Sequence, residues 1–167
     1  MPSPVGPGGR GRRANQVRRI AIISLGLVVL ALGSLSGLAV AKGSTTLGTA
    51  KVKVKGKSET IVVGPRGATV YTLSGESTHH LVCTPQAKPK GMCFHFWPPV
   101  KVRSAKTKLT AAHGVQGKLG IVHRNGFFQV TLGGHPLYYF LEDAGKKGSA
   151  TGQGIVAFGG TWHVVKA

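Results

Sequence analysis

Six side chains of the kind that bind soft metals or exchange electrons crowd one short stretch: His79, His80, Cys83, Met92, Cys93 and His95. Histidine, cysteine and methionine together form a copper-type ligand set, so a metal-binding or redox module is one chemistry open to this chain. Cys83 and Cys93 are also its only cysteines. In a small domain on the exported side of a membrane, a cysteine pair is by default a disulfide. On the chain-entropy account, closing so short a loop restricts the unfolded chain by about 2–3 kcal/mol. The disulfide is the expected state because the six residues match no recognised metal-ligand spacing. Copper held by His79, His80, Met92 and His95 with the thiols is the alternative.

Carboxylate chemistry has little to work with, since the chain has only four acidic residues. Glu76 and Asp143 each follow an expected strand, three residues past its large apolar position. A hard cation takes carboxylate oxygens, but a calcium site needs several of them. The expectation is therefore structural: Asp143 caps its turn through its own side chain or pairs with Lys146 and Lys147. No nucleophile elbow, phosphate-cradling loop or His-Glu-x-x-His motif is present, and the adjacent Glu142 and Asp143 are the one close carboxylate pair. The chain is expected not to be an enzyme and to need no cofactor.

The elements that must hold these residues read as short strands. Lys51, Val52, Lys53, Val54 and Lys55 alternate strictly, the period of a half-buried edge strand with lysines outward. Lys51, Lys53, Lys55 and Lys57 then form either a solvated edge or a basic comb for anionic surfaces. Residues 59–63 read as a strand, 64–67 as a turn and 68–73 as the returning strand, a first hairpin. Pro98 and Pro99 are expected to take the chain out of the sheet after Trp97. Asn125-Gly126 marks a hairpin turn, followed by strands at 127–132 and 136–141 about Gly133-Gly134, and by closing strands at 155–158 and 162–165. An internal echo ties these together: Gly67 to Glu76 and Gly134 to Asp143 share a Gly, a Tyr, a large apolar residue and an acid. Tyr71 precedes Tyr138 by the same step that separates Glu76 from Asp143. Trp97 and Trp162 stand nearly that far apart, which predicts one packing tryptophan in each half. Tyr71, Trp97, Tyr138, Phe140 and Trp162 are expected in the core.

The N-terminus sets the compartment. Residues 1–19 form a basic tail rich in Pro, Gly and Arg, expected to be disordered and cytoplasmic. Residues 20–41 carry no charge. Their total length fits a membrane anchor, while their most apolar part fits a signal-peptide core ending in small residues. Both readings stay open, and both leave the N-terminus inside and the remainder exported. An uncleaved segment would make the cytoplasmic membrane a partner. Residues 42–57 are a linker and the lysine-rich edge strand, and 58–167 the exported domain. A formal net charge of +18 favours polyanions: anionic lipid or wall polymers, since export separates the chain from nucleic acid and no nucleic-acid motif is present.

Tyr138, Tyr139, Phe140, Leu141, Glu142 and Asp143 fit the pattern Tyr-x-[Phe/Trp/Tyr]-x-x-Asp, and the paired cysteines, Trp97-Pro98-Pro99, Gly134-His135-Pro136-Leu137 and Gly159-Gly160-Thr161-Trp162 surround it. In these features the chain resembles a family of bacterial predicted lipoproteins known as the secreted repeat of unknown function. Two departures stand out. The first copy has Leu73 and Glu76 where the family favours an aromatic residue and Asp, and Lys42 rather than Cys follows Ala41, so the lipid attachment is not carried over. The resemblance implies an extracytoplasmic, mostly β domain of two tandem repeats, without a settled activity. The whole reads as a mostly β chain: one exported antiparallel domain of two hairpin-centred repeats behind an N-terminal hydrophobic helix. Its expected role is that of a non-catalytic envelope protein binding anionic surface material.

Overall fold

The computed structural model describes residues 46–167; the expected basic tail, the signal or anchor segment and the start of the linker lie outside the described residues. Strand β1 (Gly48–Val54) pairs antiparallel with β2 (Lys57–Val63) along its full length, from Gly48 opposite Val63 to Val54 opposite Lys57. Lys55 and Gly56 close the hairpin, both at positive φ (47° and 81°). Alternation sorts the side chains as predicted: Val52 and Val54 are buried, while Lys51, Lys53, Lys55 and Lys57 are exposed. Leu47, just before β1, is fully buried, so the packed body begins upstream of Ser58.

Strand β3 (Tyr71–Leu73) does not return along β2 as a hairpin. Both edges of β2 are taken, one by β1 and the other by the C-terminus, where Val62 N–H donates to Val165 C=O (2.7 Å) and Ala167 N–H to Thr60 C=O (3.1 Å). Only a single bridge between Val63 and Thr69 remains, flanked by Gly64 N–H on Ala68 C=O (2.8 Å) and a long bond from Val70 N–H to Val62 C=O (3.5 Å). β3 instead pairs with the last strand, and a short helix α1 (Met92–Phe96) and strand β4 (Lys101–Val102) follow it. Strands β5 (Leu119–Arg124) and β6 (Phe127–Leu132) meet in register across Asn125-Gly126, the expected turn. β7 (His135–Pro136) keeps only two pairs to β6, and β8 (Val156–Ala157) joins β9 (Gly160–Val164). The described residues thus form antiparallel sheets β1-β2, β3-β9-β8 and β4-β6-β5, with β7 beside β6.

Pro98 and Pro99 stay with the strands. Pro99 bridges Tyr138, and Pro98 C=O accepts from Tyr139 N–H (2.9 Å). Proline lacks a donor but keeps its acceptor, so it fits an edge whose carbonyls alone are needed.

Backbone bonds recur in matched pairs. Tyr71 and Tyr138 exchange both N–H···O bonds (2.8 and 3.0 Å). Val130 N–H donates to Val100 C=O (2.8 Å) as Val62 does to Val165, and Leu137 N–H reaches Val130 C=O (3.0 Å) as Val70 reaches Val62. Between these segments lie two apolar clusters, one on Val62, Val70, Val130 and Leu137, the other on the large aromatics. In the aromatic cluster Trp97 and Trp162 do not serve separate halves. Their rings stack on each other, 3.8 Å between centroids and 2° from parallel, with Phe140 on the outer face of Trp97 (4.4 Å). Tyr71 and Tyr138 meet the two tryptophans edge-on.

Candidate functional site

The two motif acids are buried, and each is held by the tyrosine of the other segment. Tyr138 hydroxyl donates to Glu76 Oε1 (3.0 Å), and Tyr71 hydroxyl donates to Asp143 Oδ2. Tyr71, in β3, and Tyr138, just after β7, exchange backbone bonds side by side, and each hydroxyl reaches the acid that follows the other. Burial, with the adjacent carboxylate, pushes both phenol pKa values far up, so neither hydroxyl ionises in the working range.

Asp143 accepts further bonds at Oδ1 from Thr151 N–H (3.1 Å), Thr151 hydroxyl (2.6 Å) and Ser149 hydroxyl. Burial alone would raise its pKa; the hydrogen bonds from Ser149, Thr151 and Tyr71 outweigh that and hold it below the ordinary 3.8. It organises the loop at 144–151 rather than pairing with Lys146 or Lys147. A depressed carboxylate contributes stability above its unfolded pKa and loses it as pH falls through the folded one. Asp143→Asn is therefore expected to cost about 1–3 kcal/mol at neutral pH, the scale of a buried network left part-satisfied. In denaturant titrations the gap between variant and wild type should close as pH falls below about 4; a gap independent of pH would contradict the ionised network.

Glu76 sits 1% exposed and accepts Val82 N–H (3.0 Å) and Cys83 N–H (3.1 Å) at the same oxygen. Arg124, 5% exposed, lies 3.9 Å from it. Arg124 Nη1 donates to Gln129 Oε1 (2.9 Å) and to Tyr138 hydroxyl (3.1 Å), Nη2 donates to Cys83 C=O, and the guanidinium lies over Phe94. Gln129 is fixed in turn through its Nε2 on Leu137 C=O (2.8 Å). Desolvation pushes the Glu76 carboxyl up, against the pull of its hydrogen bonds and of Arg124. Arg124 and Gln129 are the residues sequence reasoning passed over. Gln129 is a polar residue inside an apolar strand, a visible signal, whereas Arg124 beside the Asn-Gly turn reads as a surface residue.

Cys83 and Cys93 form a disulfide and are fully buried, with the network gripping Cys83 through both its N–H and its C=O. His79, His80 and His95 are exposed and Met92 half-buried. His95 contacts the ring of Phe96. Among the described residues no three His, Cys, Asp or Glu come together in a way that could hold a metal ion.

Charge is sorted sharply between inside and outside. Every lysine of the described residues is exposed, as are Arg66 and Arg103. Of the acids, Glu76 and Asp143 are inside, and Glu59 pairs with Lys166 (3.0 Å). Glu142 is the acid left exposed among the described residues. Around Tyr139 the cationic surface is indented. A cavity of about 570 Å³ is lined by Arg66, Lys146, Lys147 and Tyr139, and a second, of about 240 Å³, lies against Phe140 and Leu141.

Residues 121–166 match the family model described as a secreted repeat of unknown function. The likeness read from Tyr138 to Asp143 is borne out over this segment, which includes Arg124, Gln129 and Trp162 but neither Tyr71, Glu76 nor Trp97. No curated protein and no solved structure matches the chain.

Proposed function

We propose that this chain is a non-catalytic extracytoplasmic envelope protein that rests against anionic surface material through its lysines. In this reading it is built of two tandem hairpin-centred repeats behind an N-terminal signal or anchor. The sorting of charge carries the reading: Glu76 and Asp143 are held by internal bonds, while among the described residues every lysine, with Arg66 and Arg103, stands outward and only Arg124 is buried. Such a surface attracts polyanions over a Debye length, about 8 Å at physiological salt. The matched tyrosine, valine and acid bonds support the repeat reading, and the secreted description of the matched family supports the compartment. No helix among the described residues is long and apolar enough to cross a membrane, so an anchor would be supplied by residues 20–41.

Co-sedimentation with phosphatidylglycerol vesicles and with wall fragments tests the reading. Binding at low salt should be lost as the screening length drops to about 3 Å in 1 M salt. Replacing Lys51, Lys53, Lys55 and Lys57 together by serine should weaken it severalfold. Binding that persists at high salt, or none at low salt, would overturn the mechanism.

A further inference from the structure

We propose that the indentation around Tyr139 is a ligand site for a small anionic amphiphile, a phosphate or carboxylate head group carrying a short apolar chain. Its two chambers share Ala68, Tyr139 and Asp143 as walls and differ in chemistry. The larger is within the size range of small-molecule pockets and brings together Arg66, Lys146 and Lys147. The smaller is walled by Pro98, Phe140, Leu141 and Ala144. Leu141 is one of two large apolar side chains exposed on the described residues, at 40%, and it stands at this site.

The cations come from two loops that face each other. A side chain at Gly67 would meet Lys147 at 3.7 Å, so Lys147 reaches across to the turn that carries Arg66. Arg66 itself holds φ of 65°, a left-handed conformation that a long side chain rarely adopts. Strain of that kind persists where the surroundings impose it, and it gathers at binding sites. Tyr139 forms the common wall, its hydroxyl pressed against Gly64 where no side chain would fit. Asp143 lines both chambers and is an anion, but its oxygens are already bonded to Tyr71, Ser149 and Thr151, and three cations stand against its one charge. A guanidinium and two ammonium groups match an oxyanion, bidentate at the arginine and point-like at the lysines. The adjoining chamber adds no cation, its Thr69 hydroxyl is already bonded to Ser149 C=O, and its apolar walls suit a few methylenes. None of Lys51, Lys53, Lys55 and Lys57 lines either chamber, so the site is independent of the lysine comb.

Calorimetric titration of the full chain with octyl phosphate below its aggregation concentration tests the proposal, with inorganic phosphate and octyl glucoside as partial probes. Octyl phosphate is expected to bind at least tenfold more tightly than either. Arg66→Gly, at a backbone conformation that glycine adopts freely, and Lys146→Ala with Lys147→Ala should each weaken octyl phosphate about tenfold or more, the scale of a lost charge-assisted bond. Leu141→Ser should weaken octyl phosphate while leaving inorganic phosphate unchanged. Equal binding of octyl glucoside would overturn the anion-binding chamber, and equal binding of inorganic phosphate the apolar one. If serine at Lys51, Lys53, Lys55 and Lys57 weakens octyl phosphate as much as the pocket variants do, the attraction is diffuse and the site is refuted. Vesicle binding can fail while this titration succeeds, which separates the two readings.

Discussion

Arg124→Met is expected to destabilise the domain by about 3–5 kcal/mol, the cost of leaving a buried charge without its partner. Glu76 would keep its hydrogen bonds to Val82, Cys83 and Tyr138 but lose the Arg124 cation beside it. Gln129 Oε1 and Cys83 C=O would lose a donor in the same step. Adding Glu76→Gln should recover a large part of the loss, since the amide oxygen still accepts the two backbone N–H groups and no charge remains to be compensated. Denaturant midpoints with unchanged slopes would measure both, and a double variant no more stable than Arg124→Met would contradict the charge argument. The pH dependence gives a second readout. Glu76 is already raised from its ordinary 4.5 by burial, and without Arg124 it rises further. A raised acid favours the folded state at low pH, and that advantage is lost as pH climbs through the folded pKa. The deficit of Arg124→Met should therefore shrink as pH is lowered towards about 4.5 and be largest at neutral pH.

Trp162→Ala is expected to cost about 3–5 kcal/mol, the range for truncating a fully buried aromatic side chain. Trp162 is wholly buried, stacked on Trp97 and met edge-on by Tyr138. Its loss opens a cavity at the place where the motif segments touch. Trp97→Ala should cost a similar amount, since Trp97 carries both the stack and the contact to Phe140. Because each ring is the other's main neighbour, the double variant should cost less than the sum of the two single ones. Additive losses would mean that the rings pack independently. Trp162→Phe should be milder than Trp162→Ala, as it retains a ring and removes the indole N–H, which has no hydrogen-bond partner among the described residues. Thermal unfolding followed by circular dichroism separates these cases.

What was legible in the sequence is what depends on neighbours along the chain. The lysine-valine alternation of β1, the Asn125-Gly126 turn and the burial of Tyr71, Tyr138 and the tryptophans follow from local period and residue type. The disulfide followed from compartment and parity. Pairing between distant segments was not legible. The return of the chain after Pro65 looks like a hairpin until the C-terminus occupies the edge of β2. Likewise nothing in the spacing of Trp97 and Trp162 distinguishes two separate packing roles from one shared stack. The acids were recognised as recurring, but their partners lie 62 and 72 residues away, where no helix or strand period reaches. Arg124 was hidden for the same reason, since its burial is set by Cys83 and Glu76, far away in sequence.

The crossing of tyrosines and acids makes the fold a clasp with both hooks on one thread. The stretch from 121 to 166 holds a hydroxyl and a carboxylate that do not answer each other, since Tyr138 needs Glu76 and Asp143 needs Tyr71. A polypeptide with one such stretch would have to borrow the complementary groups from a neighbour, and its assembly would weaken on dilution. Here the lender is covalently attached, so the effective concentration of each hook for the other is fixed by the connecting chain and not by how much protein is present. On the proposed two-repeat reading, joining the copies in tandem turns an arrangement suited to a symmetric pair of molecules into one that a single molecule closes alone.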